Sequence, residues 1–168
     1  MKRPLSLLVL MSALALGAAP AKSDDDTFQT YRALKLEVSL DAAKAALAAC
    51  RKEGYQVAVA VVDRTGVIQV ALRDVFAGLH TVDTARRKAW TAVSFRTDTA
   101  DLAGMAEKGE AWALRNVTNA LPLGGGVRIV AGDGDMVGAI GVSGAPGGAA
   151  DATCAKAGIA AIEDKISF

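Results

Sequence analysis

The sequence predicts a mixed α/β domain, an antiparallel sheet of about five strands with helices over both faces. Three observations carry this. Strand-like runs fall into two groups whose internal links span only two to five residues, whereas a parallel pair needs a crossover of a dozen or more. The run Val57 to Val62 is apolar at every position, as expected of a central strand covered on both faces. Segments of helical periodicity precede, separate and follow the two groups.

In chain order, the first 21 residues, "MKRPLSLLVLMSALALGAAPA", combine Lys2 and Arg3, an apolar run from Leu5 to Leu16 and the triplet Ala19, Pro20, Ala21. This is the order of a cleaved secretory signal peptide, and the run is shorter than the ~20 residues of a membrane span. Of the 168 residues, 147 remain after cleavage, enough for one domain burying roughly 68–70% of its unfolded surface. The expected location is the periplasm or outside the cell, with no membrane association once the leader is gone. Loss of Lys2 and Arg3 from the 19 basic residues, set against 18 acidic ones, leaves a formal charge of −1. That is no footprint for nucleic acid.

Residues 22–38 read as an N-terminal extension, and the domain proper as residues 39–168. "SLDAAKAALAACRKEG" places Leu40, Ala43, Leu47 and Cys50 on one helical stripe, with Ser39 as N-cap and Gly54 just past the end. "QVAVAVVDRTGVIQVALRD" gives two strands about a turn at Asp63 to Gly66. "TVDTARRKAWTAVSF" returns to helical spacing from Thr81 to Phe95, with Thr81 as N-cap and Asp83 complementing the helix dipole. One or two shorter helices are expected between Thr97 and Ala120. Strands follow near Leu121 to Leu123, Val127 to Ala131 and Met136 to Val142, then a final helix from Gly148 to Lys165.

The glycine-rich corner before that helix raises a functional question. A P-loop needs a Lys-Ser/Thr pair after its glycines, and none follows here; "GDGDMVG" joins two strands, and "GVSGAPGG" has the wrong intervals for a dinucleotide fingerprint. Two readings stay open. Ser143, Gly144, Gly147 and the helix start could present backbone N–H groups to a carboxylate, or the glycines could only turn the chain while Asp151 offsets the dipole.

"GGGVRIVAGDGDMVGAIGVSGAPGGAADATCAKAGIAAI" resembles the terminal signature of the GlcG/HbpS-like family of haem-binding or haem-degrading domain proteins, related to the C-terminal domain of PduO-type proteins. "VAVAVVDRTGVIQVALRD" is similar to the family's first hairpin, and "HTVDTARRKAWTAVSFRTDT" to its central helix, with the Lys-Ala-x-Thr-Ala core at Lys88 to Ala92. The resemblance covers about Ser39 to Ile166. It implies a profilin-like three-layer α/β/α sandwich with a five-stranded antiparallel sheet, assembly into homo-oligomers and non-covalently bound haem as cofactor. In that arrangement the first and last helices share a sheet face, so Cys50 and Cys154 either form a disulfide or remain buried thiols.

His80 is the only histidine. A two-histidine metal site within one chain is thereby excluded, and "GVSGA" lacks the fifth-position glycine of a nucleophile elbow, so no residue set assigns a reaction. His80 is the candidate axial ligand to haem iron if a neutral ring nitrogen faces an apolar slot; otherwise it is a surface or cap residue. Met105, Met136, Tyr31 and Tyr55 are candidates for a second ligand, as is His80 of another copy across an interface. Arg73 ends the second strand and Arg86, Arg87 and Lys88 line the central helix; Lys88 and Thr91, three apart, share a helix face and could bind haem propionates or another carboxylate, or this is a solvated face whose Lys stem covers apolar surface. The leading expectation is an exported haem-binding protein that stores, buffers or senses haem. The alternatives are an enzyme or binding protein for a small organic acid, using Arg73, Lys88, Thr91 and the glycine turn, and a ligandless oligomeric sensory partner.

Overall fold

The computed structural model describes residues 27–168; the signal peptide expected over residues 1–21 lies outside them. The domain, Tyr31–Phe168, runs α1 (Leu36–Lys52), β1 (Ala58–Asp63), β2 (Ile68–Arg73), α2 (Thr81–Phe95), α3 (Thr99–Glu107), a 3₁₀ turn (Trp112–Asn116), β3 (Gly126–Val130), β4 (Met136–Ser143), α4 (Gly148–Ala160) and α5 (Glu163–Ile166). The sheet has the order β2-β1-β4-β3, antiparallel throughout, with β1 and β4 central.

Four strands stand where five were expected. The segment Leu121 to Leu123 is no strand because its hydrogen-bonding groups are committed elsewhere. Pro122 has no N–H, the Leu121 amide donates to Thr91 Oγ1 at 2.8 Å, and the Leu123 amide turns back to the Leu121 carbonyl. Its partners are helix α2 and itself, so it has no ladder to join.

Strand alternation sorts the core into two layers. Val57, Val59 and Val61 pack with Val127, Ile129, Ile140 and Val142 against α1 and α4. Ala58, Ala60, Val62 and Ala139 face the other way, against Ala85, Ala89, Ala92 and Val93 of α2. The α2 side is built from small residues because the helix lies so close. A Cβ at Gly141 of β4 would stand 2.0 Å from the Ala85 carbonyl oxygen, so only glycine fits there.

Other boundaries shift for local reasons. Helix α1 begins at Leu36, ahead of Ser39, which is fully buried inside the helix and donates its hydroxyl to Gln69 Oε1 at 2.7 Å instead of capping. Thr81 opens α2 with its hydroxyl bonded back to the Gly78 carbonyl. The last helix breaks after Ala160, where Ile162 leaves helical geometry (φ −119°) and drops fully into the core before α5 resumes. Cys50 and Cys154 form a disulfide with Cα atoms 5.4 Å apart, fastening α1 to α4.

No helix among the described residues is long and apolar enough to cross a membrane.

Candidate functional site

The residues singled out in the sequence separate into two groups along α2. Lys88 points inward. Its side chain is only 4% exposed, and Nζ donates to Asp151 Oδ2 at 2.7 Å and to the Val142 carbonyl at 3.0 Å. The other carboxylate oxygen of Asp151 accepts the Ala145 amide at 3.0 Å. Asp151 thus meets the first turn of α4 and the glycine corner with the chain's own anion, and Lys88 neutralises it. Gly125 covers the pair at φ +116°, where a Cβ would meet Asp151 Cβ at 2.7 Å and Lys88 Nζ at 3.0 Å. Ser143 is buried at the end of β4, opposite Ala58. Gly144 and Gly147 take φ +128° and +125°, the left-handed backbone that glycine enters without penalty. Thr91, also buried, donates to the Arg87 carbonyl and accepts the Leu121 amide. Lys88, Thr91 and Asp151 therefore form internal bonds that hold α2, α4 and the 119–126 connection together.

His80 stands just ahead of α2, eight residues before the mid-helix Lys88, exposed, in the N-cap position. Its ring folds over Gly78: a Cβ there would lie 2.9 Å from His80 Cε1 and 3.1 Å from Nδ1. Neither ring nitrogen has a hydrogen-bond partner among the described residues. The loop leading to it, Asp74 to Leu79, inverts the usual polarity. Val75 is 79% exposed, Phe76 85% and Leu79 95%, whereas Asp74 is 3% exposed. Asp74 anchors the base of the loop by exchanging backbone and side-chain bonds with Val57 and by accepting the Arg51 guanidinium at 2.8 Å from Nε. Arg73, at the end of β2, donates to the Ala77 and Val75 carbonyls. The Ala77 amide bonds the Asp74 carbonyl, and Thr81 bonds Gly78 through both its amide and its hydroxyl. These polar bonds thus fix a loop that holds its large apolar side chains in water beside an unpartnered imidazole.

The structure brings Arg73 and His80 to one loop, and Lys88, Asp151 and Ser143 to one buried corner. It does not join the two groups. The candidates for a second ligand lie on other elements. Met105 is half-exposed on α3, Met136 packs against α2 at the start of β4, Tyr55 backs onto the α1–α4 core, and the Arg64 guanidinium lies 5.3 Å above the Tyr31 ring. No cluster of three metal-binding side chains occurs among the described residues. Sequence reasoning missed Val75, Phe76 and Leu79; the available signal was the apolar run "VFAGL" between a turn and a helix start, with neither strand nor helix period.

In the β1–β2 turn, burial raises the Asp63 pKa, but hydrogen bonds from the Thr65 hydroxyl and from the Val67, Thr65 and Gly66 amides outweigh that and hold it below the usual range. Asp63 shapes the hairpin.

The family model described as haem degrading protein HbpS-like matches residues 34–160. The chain belongs to this family. Among solved structures, a double mutant of HbpS from Streptomyces reticuli is 41% identical over 86% of this chain and 97% of its own, with a TM-score of 0.76. A PduOC:heme complex is 30% identical over 78% of this chain and 96% of its own, with a TM-score of 0.71. Protein ORFY of Klebsiella pneumoniae, at 23% identity and a TM-score of 0.75 over 80% of this chain and 94% of its own, shares the fold. No curated protein matches the chain.

Proposed function

We propose that this HbpS-like protein binds haem non-covalently on the loop from Val75 to His80, with His80 as axial ligand to the iron. The observation that carries the reading is the juxtaposition of a free imidazole with Phe76 and Leu79, both nearly fully exposed on a loop pinned from below. A haem bound there supplies an iron centre that accepts an imidazole nitrogen and a flat apolar face. The chain supplies the rest: Gly78 leaves room for the ring, Arg73 and Asp74 hold the loop, and each apolar side chain fully covered by the ligand contributes about 1.5–3 kcal/mol. The similarity to a PduOC:heme complex supports the same ligand.

Export belongs to the proposal. It is supported by the leader-like first 21 residues and by the Cys50–Cys154 disulfide, a bond typical of oxidising compartments. Storage, buffering or sensing of haem outside the cytoplasm, in a homo-oligomer, is the role that follows; light scattering reads the assembly.

Haemin titration of the mature protein tests the site. The wild type is expected to shift the Soret band, His80→Ala to lose the axial signature, and Phe76→Ser with Leu79→Ser to weaken binding at least tenfold. An unshifted wild-type spectrum, or the same shift in His80→Ala, overturns the assignment.

A further inference from the structure

A cleft of about 250 Å³ opens beside α2, lined by Arg87, Arg115, Ala120, Leu121, Pro122 and Leu123. Two guanidinium groups line it and no carboxylate does. Arg87 spends Nε and Nη2 on the Asn119 and Ala120 carbonyls, which leaves Nη1 for another acceptor. Arg115, exposed at the end of the 3₁₀ turn, has no hydrogen bond or ion pair among the described residues. By contrast, Arg51, Arg86 and Arg128 each meet an aspartate. A concave apolar cleft holding uncompensated arginine charge suits a carboxylate, which the planar guanidinium fork grips in bidentate fashion.

Its position links it to the proposed haem loop. Arg87 follows His80 by seven residues, two turns of helix, and so lies on the same flank of α2 roughly 10 Å further along the axis. That is the separation expected between an iron ligand and a group meeting the carboxylate edge of a porphyrin. Lys88, the cation singled out in the sequence, faces inward and is already paired with Asp151.

We infer that the Arg87–Arg115 cleft is a carboxylate subsite, occupied by a propionate of the haem bound at His80. The inference rests on the haem reading for its source of carboxylate; a free small organic acid is the other source with the same chemistry. The subsite fixes the in-plane orientation of the porphyrin and discriminates against esterified or decarboxylated macrocycles.

The test compares wild type, Arg115→Gln, Arg115→Lys and His80→Ala, each binding haemin, iron-free protoporphyrin and iron-free protoporphyrin dimethyl ester, by fluorescence quenching and absorbance, and each melted with and without succinate. Arg115 is used because Arg87 also holds the 119–120 backbone. Arg115→Gln is expected to weaken haemin and iron-free protoporphyrin binding five- to tenfold, leave the dimethyl ester unchanged and keep the wild-type Soret position, with Arg115→Lys in between. Equal loss for acid and ester, or no loss for either, overturns the subsite. If iron-free protoporphyrin depends on Arg115 while haemin spectra of wild type and His80→Ala coincide, the subsite stands and the axial assignment falls. If Arg115→Gln abolishes only thermal stabilisation by succinate, the cleft takes a free acid and the propionate assignment is overturned.

Discussion

Two regions that meet α2, the buried corner at its middle and the loop ahead of its first residue, invert each other's chemistry. At the glycine corner the chain buries a full ion pair, Lys88 with Asp151, both 4% exposed. At the 75–80 loop it holds Phe76 and Leu79 in water. The first arrangement costs desolvation and returns geometry, since the pair, with the Val142 carbonyl and the Ala145 amide, ties α2, β4 and α4 into one unit. The second forgoes hydrophobic burial and returns a contact surface. Charged residues of a family motif are easily read as ligand-binding, yet here the charges build the scaffold and the hydrophobic side chains face outward. Polarity alone therefore does not separate framework from site; the location of each side chain's partners does.

The sharpest way to break this contrast is to remove one half of the buried pair. Lys88→Met leaves Asp151 charged and buried without its counter-ion, with an expected loss of about 3–5 kcal/mol. The double change Lys88→Met with Asp151→Leu is expected to recover much of it. Denaturant unfolding of the three proteins measures both, and a near-neutral Lys88→Met would sink the framework role.

A somewhat smaller effect is expected from the disulfide. Its two cysteines are 104 residues apart, and reduction or Cys50→Ala with Cys154→Ala should cost about 2–4 kcal/mol. Melting with and without reductant shows the difference, and the loop should still present Phe76 and Leu79 in the reduced protein.

The hairpin turn sharpens the comparison through pH. The Asp63 carboxyl lies below its ordinary range when folded, so its contribution is complete at neutral pH and is lost as pH falls through the folded-state value. The melting advantage of wild type over Asp63→Asn should be constant above about pH 5 and shrink below about pH 4. An advantage that grows on acidification contradicts the hydrogen-bonding account.

The smallest change in stability belongs to the loop. Phe76→Ser with Leu79→Ser should alter unfolding by no more than about 0.5 kcal/mol while abolishing most haem affinity. If the protein unfolds as a core variant would, those side chains do not face solvent and the contrast fails.

Much of the architecture was legible because it is local or strictly periodic. The all-apolar β1, the Asp63 turn and the stripe of α2 each follow from a few consecutive residues. The fifth strand is absent because Leu121 to Leu123, strand-like in composition, has its first amide captured by Thr91, 30 residues earlier. Lys88 could be placed on α2 but not turned inward, since its partner is 63 residues away. The candidate site was half legible. His80 stood out as the lone histidine, whereas the exposure of Phe76 and Leu79 depends on Asp74 and Arg73 holding the loop from beneath, which no periodicity encodes.

The Cys50–Cys154 bond makes the segment between the two cysteines a covalent ring that contains every strand of the sheet, the histidine loop and the arginine cleft. One proteolytic cut in the exposed stretch from Lys108 to Glu110 would open that ring without releasing either piece. Such a nicked protein should still migrate as a single chain until a thiol is added, so damage at the surface need not set the domain's halves adrift.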